Sequence, residues 1–233
     1  MLQIRPANTR GRAEHGWLSS RHTFSFGHYH DPRHMGFGPL RVINEDRVQP
    51  GQGFGTHAHR DMEILSYVVE GALEHKDSMG NGSVLRYGDV QRMSAGSGVT
   101  HSEFNHSASE PVHFLQIWVM PERAGIDPGY EEKHFAPDSK RDQLRLIAAP
   151  QGEDGAVRIH QDARIYASIL DGDARLDYPL AAGRGAYVQV VRGTLSVNGQ
   201  TLQAGDAIQA IDEASLQFAD AQDSEFLLFD LPR

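Results

Sequence analysis

The sequence predicts an all-β protein built from two tandem β-barrel domains. Three observations predict it. Short runs rich in Val, Ile, Leu, Tyr and Phe alternate along the chain with turns marked by Gly and Pro, as in barrels and sandwiches of short strands. No long stretch carries helical periodicity. A strand–hairpin–turn unit also occurs twice.

The runs are, in order, Leu40–Ile43, Ile64–Val69, Ser83–Tyr87, Phe114–Met120, Tyr187–Val191 and Phe226–Phe229. Each is a few residues long and rich in the β-branched and aromatic side chains that suit a strand. The first copy of the repeated unit reads Tyr67-Val-Val-Glu-Gly71, a hairpin at Ser78-Met-Gly-Asn-Gly82, and Tyr87-Gly88-Asp89-Val90. The second reads Val190-Val-Arg-Gly193, a hairpin at Asn198-Gly199, and Ala204-Gly205-Asp206-Ala207. The marker glycines are 17 positions apart in the first copy and 12 in the second. A shorter second hairpin accounts for the difference, and each Gly-Asp pair suits a tight turn before the next strand. The repeat is read as an ancestral duplication, with domains at 1–135 and 136–233 and a join rich in Pro, Gly and charge.

The length of 233 residues accommodates two domains of roughly 100–130 residues each. The absence of cysteine excludes disulfides, thiolate zinc sites, iron–sulfur clusters and cysteine nucleophiles. A net charge of −9 without a basic block argues against direct nucleic-acid binding. The N-terminal stretch has no apolar run that reads as a secretory signal, and no segment has the length of a membrane span, so a cytoplasmic protein with no membrane partner is expected. There is no G-x-S-x-G elbow and no P-loop.

Two histidine-bearing couples carry the chemistry. His57-Ala58-His59 and His101-Ser102-Glu103 each follow a glycine-rich turn. In a strand, residues i and i+2 point to the same side. Each couple therefore shares a face, and two adjacent segments would bring three imidazoles and one carboxylate to a point. Such a set suits a divalent transition metal with positions left open for substrate or oxygen. The corresponding positions of the second copy hold Pro179, Ala181, Phe218 and Asp220, so metal chemistry is expected in the first domain alone.

The motifs Gly51-x5-His57-x-His59-x3-Glu63 and Gly88-x5-Ser94-x-Gly96, followed by Gly98-x2-His101-x3-Asn105, resemble the two cupin motifs, with Ser94 where many cupins have proline. The runs His22–Phe26, Gly36–Asn44, Gly53–Leu65 and Met93–Glu103 more specifically resemble the pirin family, densely in the N-terminal domain and loosely in the C-terminal one. The resemblance to short bacterial pirin-like quercetin dioxygenases implies a bicupin fold with one metal in the N-terminal barrel. The implied ligands are His57, His59, His101 and Glu103. Glu63 lies four residues from His59, an even spacing that keeps it as a fallback ligand or hydrogen-bonding partner.

The resemblance implies a metal-dependent dioxygenase that cleaves flavonols such as quercetin with O2 and releases carbon monoxide. In that reaction Glu103 is expected to accept the 3-hydroxyl proton. Iron is the metal implied; the ligand types also admit Mn, Co, Ni, Cu and Zn. The alternative is a redox-sensing or partner-binding pirin without significant turnover, in which a protein partner replaces the flat aromatic substrate. Phe24, Phe26, Phe37 and Phe54 are candidates for cavity wall or, equally, for core, and Trp17 and Trp118 read as core. The remaining histidines read as structural, exposed or cavity-rim residues. Arg60 and Asp61 read either as groups that orient the site or as a surface ion pair.

Overall fold

A computed structural model describes Met1–Arg233. Strand β1 (Leu2–Arg5) precedes β2 (Gly11–Glu14), β3 (Leu18–His22), β4 (Leu40–Val48), β5 (Gly53–His59), β6 (Glu63–Glu70), β7 (Ala72–Asp77), β8 (Gly82–Arg86), β9 (Asp89–Ser94), β10 (Val99–Asn105), β11 (Val112–Val119) and β12 (Gly129–His134). Next come β13 (Arg145–Ala149), β14 (Val157–Arg158), β15 (Arg164–Gly172), β16 (Leu176–Pro179), β17 (Arg184–Val197), β18 (Gln200–Gln203), β19 (Ala207–Ile211) and β20 (Ser215–Pro232). The only helical pieces are three single 3-10 turns, and no helix is long and apolar enough to cross a membrane.

The chain divides into two compact units. One comprises Gly11–His134 and Val157–Gln161; the other comprises Met1–Arg10, Phe135–Ala156 and Asp162–Arg233. Relative to a single cut after residue 135, two short segments therefore change sides.

In the first unit a seven-stranded sheet, ordered β12-β9-β6-β11-β4-β3-β2, faces a four-stranded sheet, ordered β5-β10-β7-β8. One buried cluster joins Val48, Val68, Val112 and Phe114 of the larger sheet to Leu73 and Leu85 of the smaller. Burial of this shared apolar surface closes the two sheets on each other. Strand β4 runs on to Val48, beyond the predicted Leu40–Ile43. Its second half is Asn44-Glu-Asp-Arg-Val48, and Asn44, Glu45 and Asp46 are all buried. An apolar run cannot reveal a strand whose inward face is polar.

The second unit pairs β1-β19-β17-β20-β15-β13, with β16 added to β20 and β18 to β17. Strands β17 and β20, 14 and 18 residues long, wrap around an apolar interior that includes Val188, Leu195, Phe218, Phe226 and Leu228. The β17–β20 register shifts at Val190/Arg192, Arg192/Thr194 and Thr194/Ser196. Such bulges bend strands, so one long strand can serve two sides of a barrel.

The repeated unit has the same construction in both copies. Gly71 and Gly193 have φ of 78° and 65°. A Cβ at either would lie 2.6 Å from Pro111 O or 2.1 Å from Gln222 O, which leaves room only for glycine. Arg86 N donates to Asp89 Oδ2 at 2.7 Å, and Gln203 N donates to Asp206 Oδ2 at 3.0 Å. Each aspartate thus closes the turn of its own hairpin.

Candidate metal centre

Strands β5 and β10 pair antiparallel, with His57 opposite His101 and His59 opposite Val99. Burial along β10 alternates, so Val99, His101, Glu103 and Asn105 point inward while Thr100 and Phe104 face solvent. Between His101 and Glu103 the register slips and Glu103 falls opposite Phe54. The strands touch closely there: a Cβ on Gly53 would lie 2.3 Å from Glu103 O.

The three imidazoles converge as the i, i+2 spacing requires. Ring centroids are 4.7 Å apart for His57–His59, 4.6 Å for His57–His101 and 4.8 Å for His59–His101. Nε2 of His57 and Nε2 of His101 are 3.2 Å apart. The other ring nitrogen of His57, Nδ1, lies 2.7 Å from Gly55 O and donates to it. This bond leaves Nε2 of His57 as the lone-pair nitrogen facing the cluster.

Burial and mutual repulsion keep His59 and His101 neutral. Desolvation first, then the His57 charge, lowers His59 to about 4. Desolvation, reinforced by His57, His59 and His75, lowers His101 to about 3. At neutral pH both imidazoles therefore offer a free lone pair.

Glu103 is 2 % exposed. Ser66 Oγ donates to its Oε1 at 3.0 Å and Gln116 Nε2 donates to its Oε2 at 2.5 Å. Burial outweighs these bonds and, with the nearby Asp46 charge, pushes the carboxyl up to about 7.

The donor atoms form two triads, each within 4.8 Å, that share His101. One is His57–His59–His101 and the other His75–His101–Glu103. His75 was read as structural or exposed from sequence; it is fully buried beside the centre. It lies opposite Glu103 in the β7–β10 pair, bonds Asp77 Oδ2 through Nε2 at 3.2 Å, and stacks on Tyr130 at 5.0 Å. No spacing rule finds it, because it depends on which strand flanks β10.

Glu63 does not continue the His59 face. Asp61, at φ 51°, turns the chain between β5 and β6, so the even count does not run along one strand. Glu63 Oε2 instead accepts from His160 N at 3.1 Å. Asp61 is a turn former: its N donates to Gly96 O at 2.9 Å and its Oδ1 accepts from Gly125 N at 2.6 Å.

His57, His59 and Glu103 line one part of a cavity of about 470 Å³. Phe26, Phe54 and Trp118 supply apolar wall, and Asn44, Asp46 and Gln116 a polar patch. Trp118, expected in the core, packs edge-on to His59 at 5.0 Å and to Phe26 at 5.4 Å. Phe24 and Phe37 are buried away from the cavity. Exposed His15 and His28 stand at its rim.

This donor set fits a divalent transition metal. Imidazole nitrogens stand within reach of one another, the tautomer is set at His57, and a carboxyl is held by two donors. In the other unit the position matching His101 holds Phe218, fully buried and stacked on Phe226 at 4.8 Å.

Two small β-barrels in tandem, one of them with a histidine cluster at its cavity, define a bicupin. Family profiles match both halves: Pirin over residues 3–119 and the quercetinase C-terminal cupin domain over residues 146–231. The chain belongs to the pirin family. It is 48% identical over 233 residues to a quercetin 2,3-dioxygenase of Escherichia coli K12, covering 100% of this chain and 99% of the relative. The crystal structure of YhhW from Escherichia coli superposes with a TM-score of 0.96 at 47% identity, covering 100% of this chain and 98% of that one. A second structure, of bacterial pirin YhhW in complex with nickel(II), gives 0.95 at 47% identity, covering 100% and 99%.

Proposed function

We propose that the protein is a metal-dependent dioxygenase that opens the central ring of flavonols such as quercetin with O2 and releases carbon monoxide. The observation that carries this reading is the convergence of His57, His59 and His101 at an apolar-walled cavity, with buried Glu103 within reach of His101. Its volume of about 470 Å³ falls in the roughly 300–1,000 Å³ range of small-molecule sites. The quercetin 2,3-dioxygenase of Escherichia coli, 48% identical over the full chain, supports the substrate class.

In this reading His57, His59, His101 and Glu103 hold one divalent ion, with iron as the native metal. The nickel(II) complex of the related YhhW supports binding of a divalent ion. When bound, the ion supplies Lewis acidity to the substrate's 3-hydroxyl and adjacent carbonyl oxygen, which favours the enolate that reacts with oxygen.

The chain's own groups do the rest. Glu103, the carboxylate beside the imidazoles, accepts the 3-hydroxyl proton. Ser66 and Gln116 aim its two oxygens. Phe26, Phe54 and Trp118 flank the flat ring and displace water.

The test is aerobic mixing of quercetin with metal-loaded and with chelator-treated protein, following loss of flavonol absorbance. Turnover by the loaded protein alone supports the reading. Equal, slow loss in both contradicts it.

A further inference from the structure

Strand β4 carries two polar side chains that the reaction above does not use. Asn44 and Asp46 are two apart on one strand, so they share a face, and both line the cavity. Glu45, between them, points to the other face, where His113 Nε2 lies 3.0 Å from its Oε1. Asn44 and Asp46 are each 4 % exposed. Oδ1 of Asn44 and Oδ1 of Asp46 have no hydrogen-bond partner. Ser20 bonds the Asp46 carboxyl but leaves Oδ1 without a donor.

Two buried acceptors without donors, side by side on a cavity wall, are unfavourable in the empty protein and ready for a ligand that donates. Their place relative to the proposed centre is set by the sheet. Asn44 is the cross-strand neighbour of Gln116, and Gln116 donates to Glu103. The acceptor pair therefore begins beside the proton-accepting carboxyl and continues along β4 to Asp46.

We propose that Asn44 and Asp46 bind free hydroxyl groups of the substrate and so select a polyhydroxylated aromatic over the same ring skeleton without them. The inference rests on the flavonol reading and deepens it. A phenolic hydroxyl is the group that fits: it donates one hydrogen bond, sits in the plane of a flat ring, and carries no charge into an apolar-walled cavity. An ether or ring carbonyl offers no hydrogen to either acceptor.

The experiment is anaerobic equilibrium titration of metal-loaded protein with quercetin and with 3-hydroxyflavone, which keeps the 3-hydroxyl and carbonyl but lacks the other hydroxyls. Oxygen is excluded, so binding is read without turnover. Wild type is expected to bind quercetin at least about 10-fold more tightly than 3-hydroxyflavone. Asp46→Leu and Asn44→Leu, tested separately, are each expected to lose about 10-fold more affinity for quercetin than for 3-hydroxyflavone. Either variant suffices if the other does not fold. Equal losses for both ligands, or no loss for either, would overturn the assignment while leaving the flavonol reading in place. Failure of wild type to bind either ligand would overturn that reading and the acceptor pair with it.

Discussion

His57 and His101 face each other across two antiparallel strands with their Nε2 atoms 3.2 Å apart. The Nδ1 bond of His57 to Gly55 O turns its Nε2 lone pair into that space, where a cation would be held by both rings. His57→Ala and His101→Ala should each lower metal content from about one ion per chain to below about 0.1. Elemental analysis after anaerobic purification reads this directly. Full metal content in both variants would place the ion elsewhere.

Chelation should lower thermal stability. The folded state alone assembles the donor set, so the ion stabilises by mass action, about 2.7 kcal/mol at 100 times its Kd. For a chain of this length that corresponds to roughly 5–10 °C in Tm. Thermal scans before chelation, after it, and after restoring metal should show a reversible drop.

In the metal-free protein, Glu103→Gln should be stabilising at high pH. Burial raises the folded carboxyl from 4.5 to about 7. The folded state therefore holds this proton more tightly than the unfolded state. That contribution is fully present below about 4.5 and is lost as pH rises through about 7. Glutamine keeps the shape without the charge. The difference in stability between variant and wild type should be near zero at pH 4.5 and grow to on the order of 3 kcal/mol above pH 8. Denaturant melts across that range check the sign. A difference that does not change with pH would show that Glu103 is not desolvated.

His75→Phe keeps a ring to stack on Tyr130 but removes the nitrogens that bond Asp77 and approach His101 and Glu103. Groups that orient metal ligands typically contribute 10–100-fold in affinity. The variant should fold, retain metal at saturating concentration, and show a metal Kd raised about 10-fold in competition with a chelator. An unchanged Kd would make His75 a packing residue.

What the sequence made legible follows from period-two geometry. His57 and His59, and His101 and Glu103, lie where i, i+2 spacing places them, and the paired glycines Gly71 and Gly193 mark equivalent turns. What it concealed depended on tertiary arrangement. Glu63 could share the His59 face only on a regular strand, and Asp61 breaks the strand between them. His75 was missed because β7 becomes a neighbour of β10 only after the sheet forms. Asn44 and Asp46 stayed hidden because they belong to a strand whose inward face serves a cavity, and Trp118, read as core, packs against the buried cluster of Ile64, Met93 and Val99 and also lines the cavity, which alternation alone does not show.

The central claim is that one metal in the N-terminal barrel works on a flavonol, and one measurement tests it most directly. Anaerobically purified protein of known metal content is mixed with quercetin and oxygen, and oxygen uptake and carbon monoxide release are measured together. One metal per chain with matched oxygen loss and carbon monoxide release is the expected result. One metal per chain with neither, after reconstitution with iron, manganese, cobalt, nickel and copper in turn, would contradict the dioxygenase account.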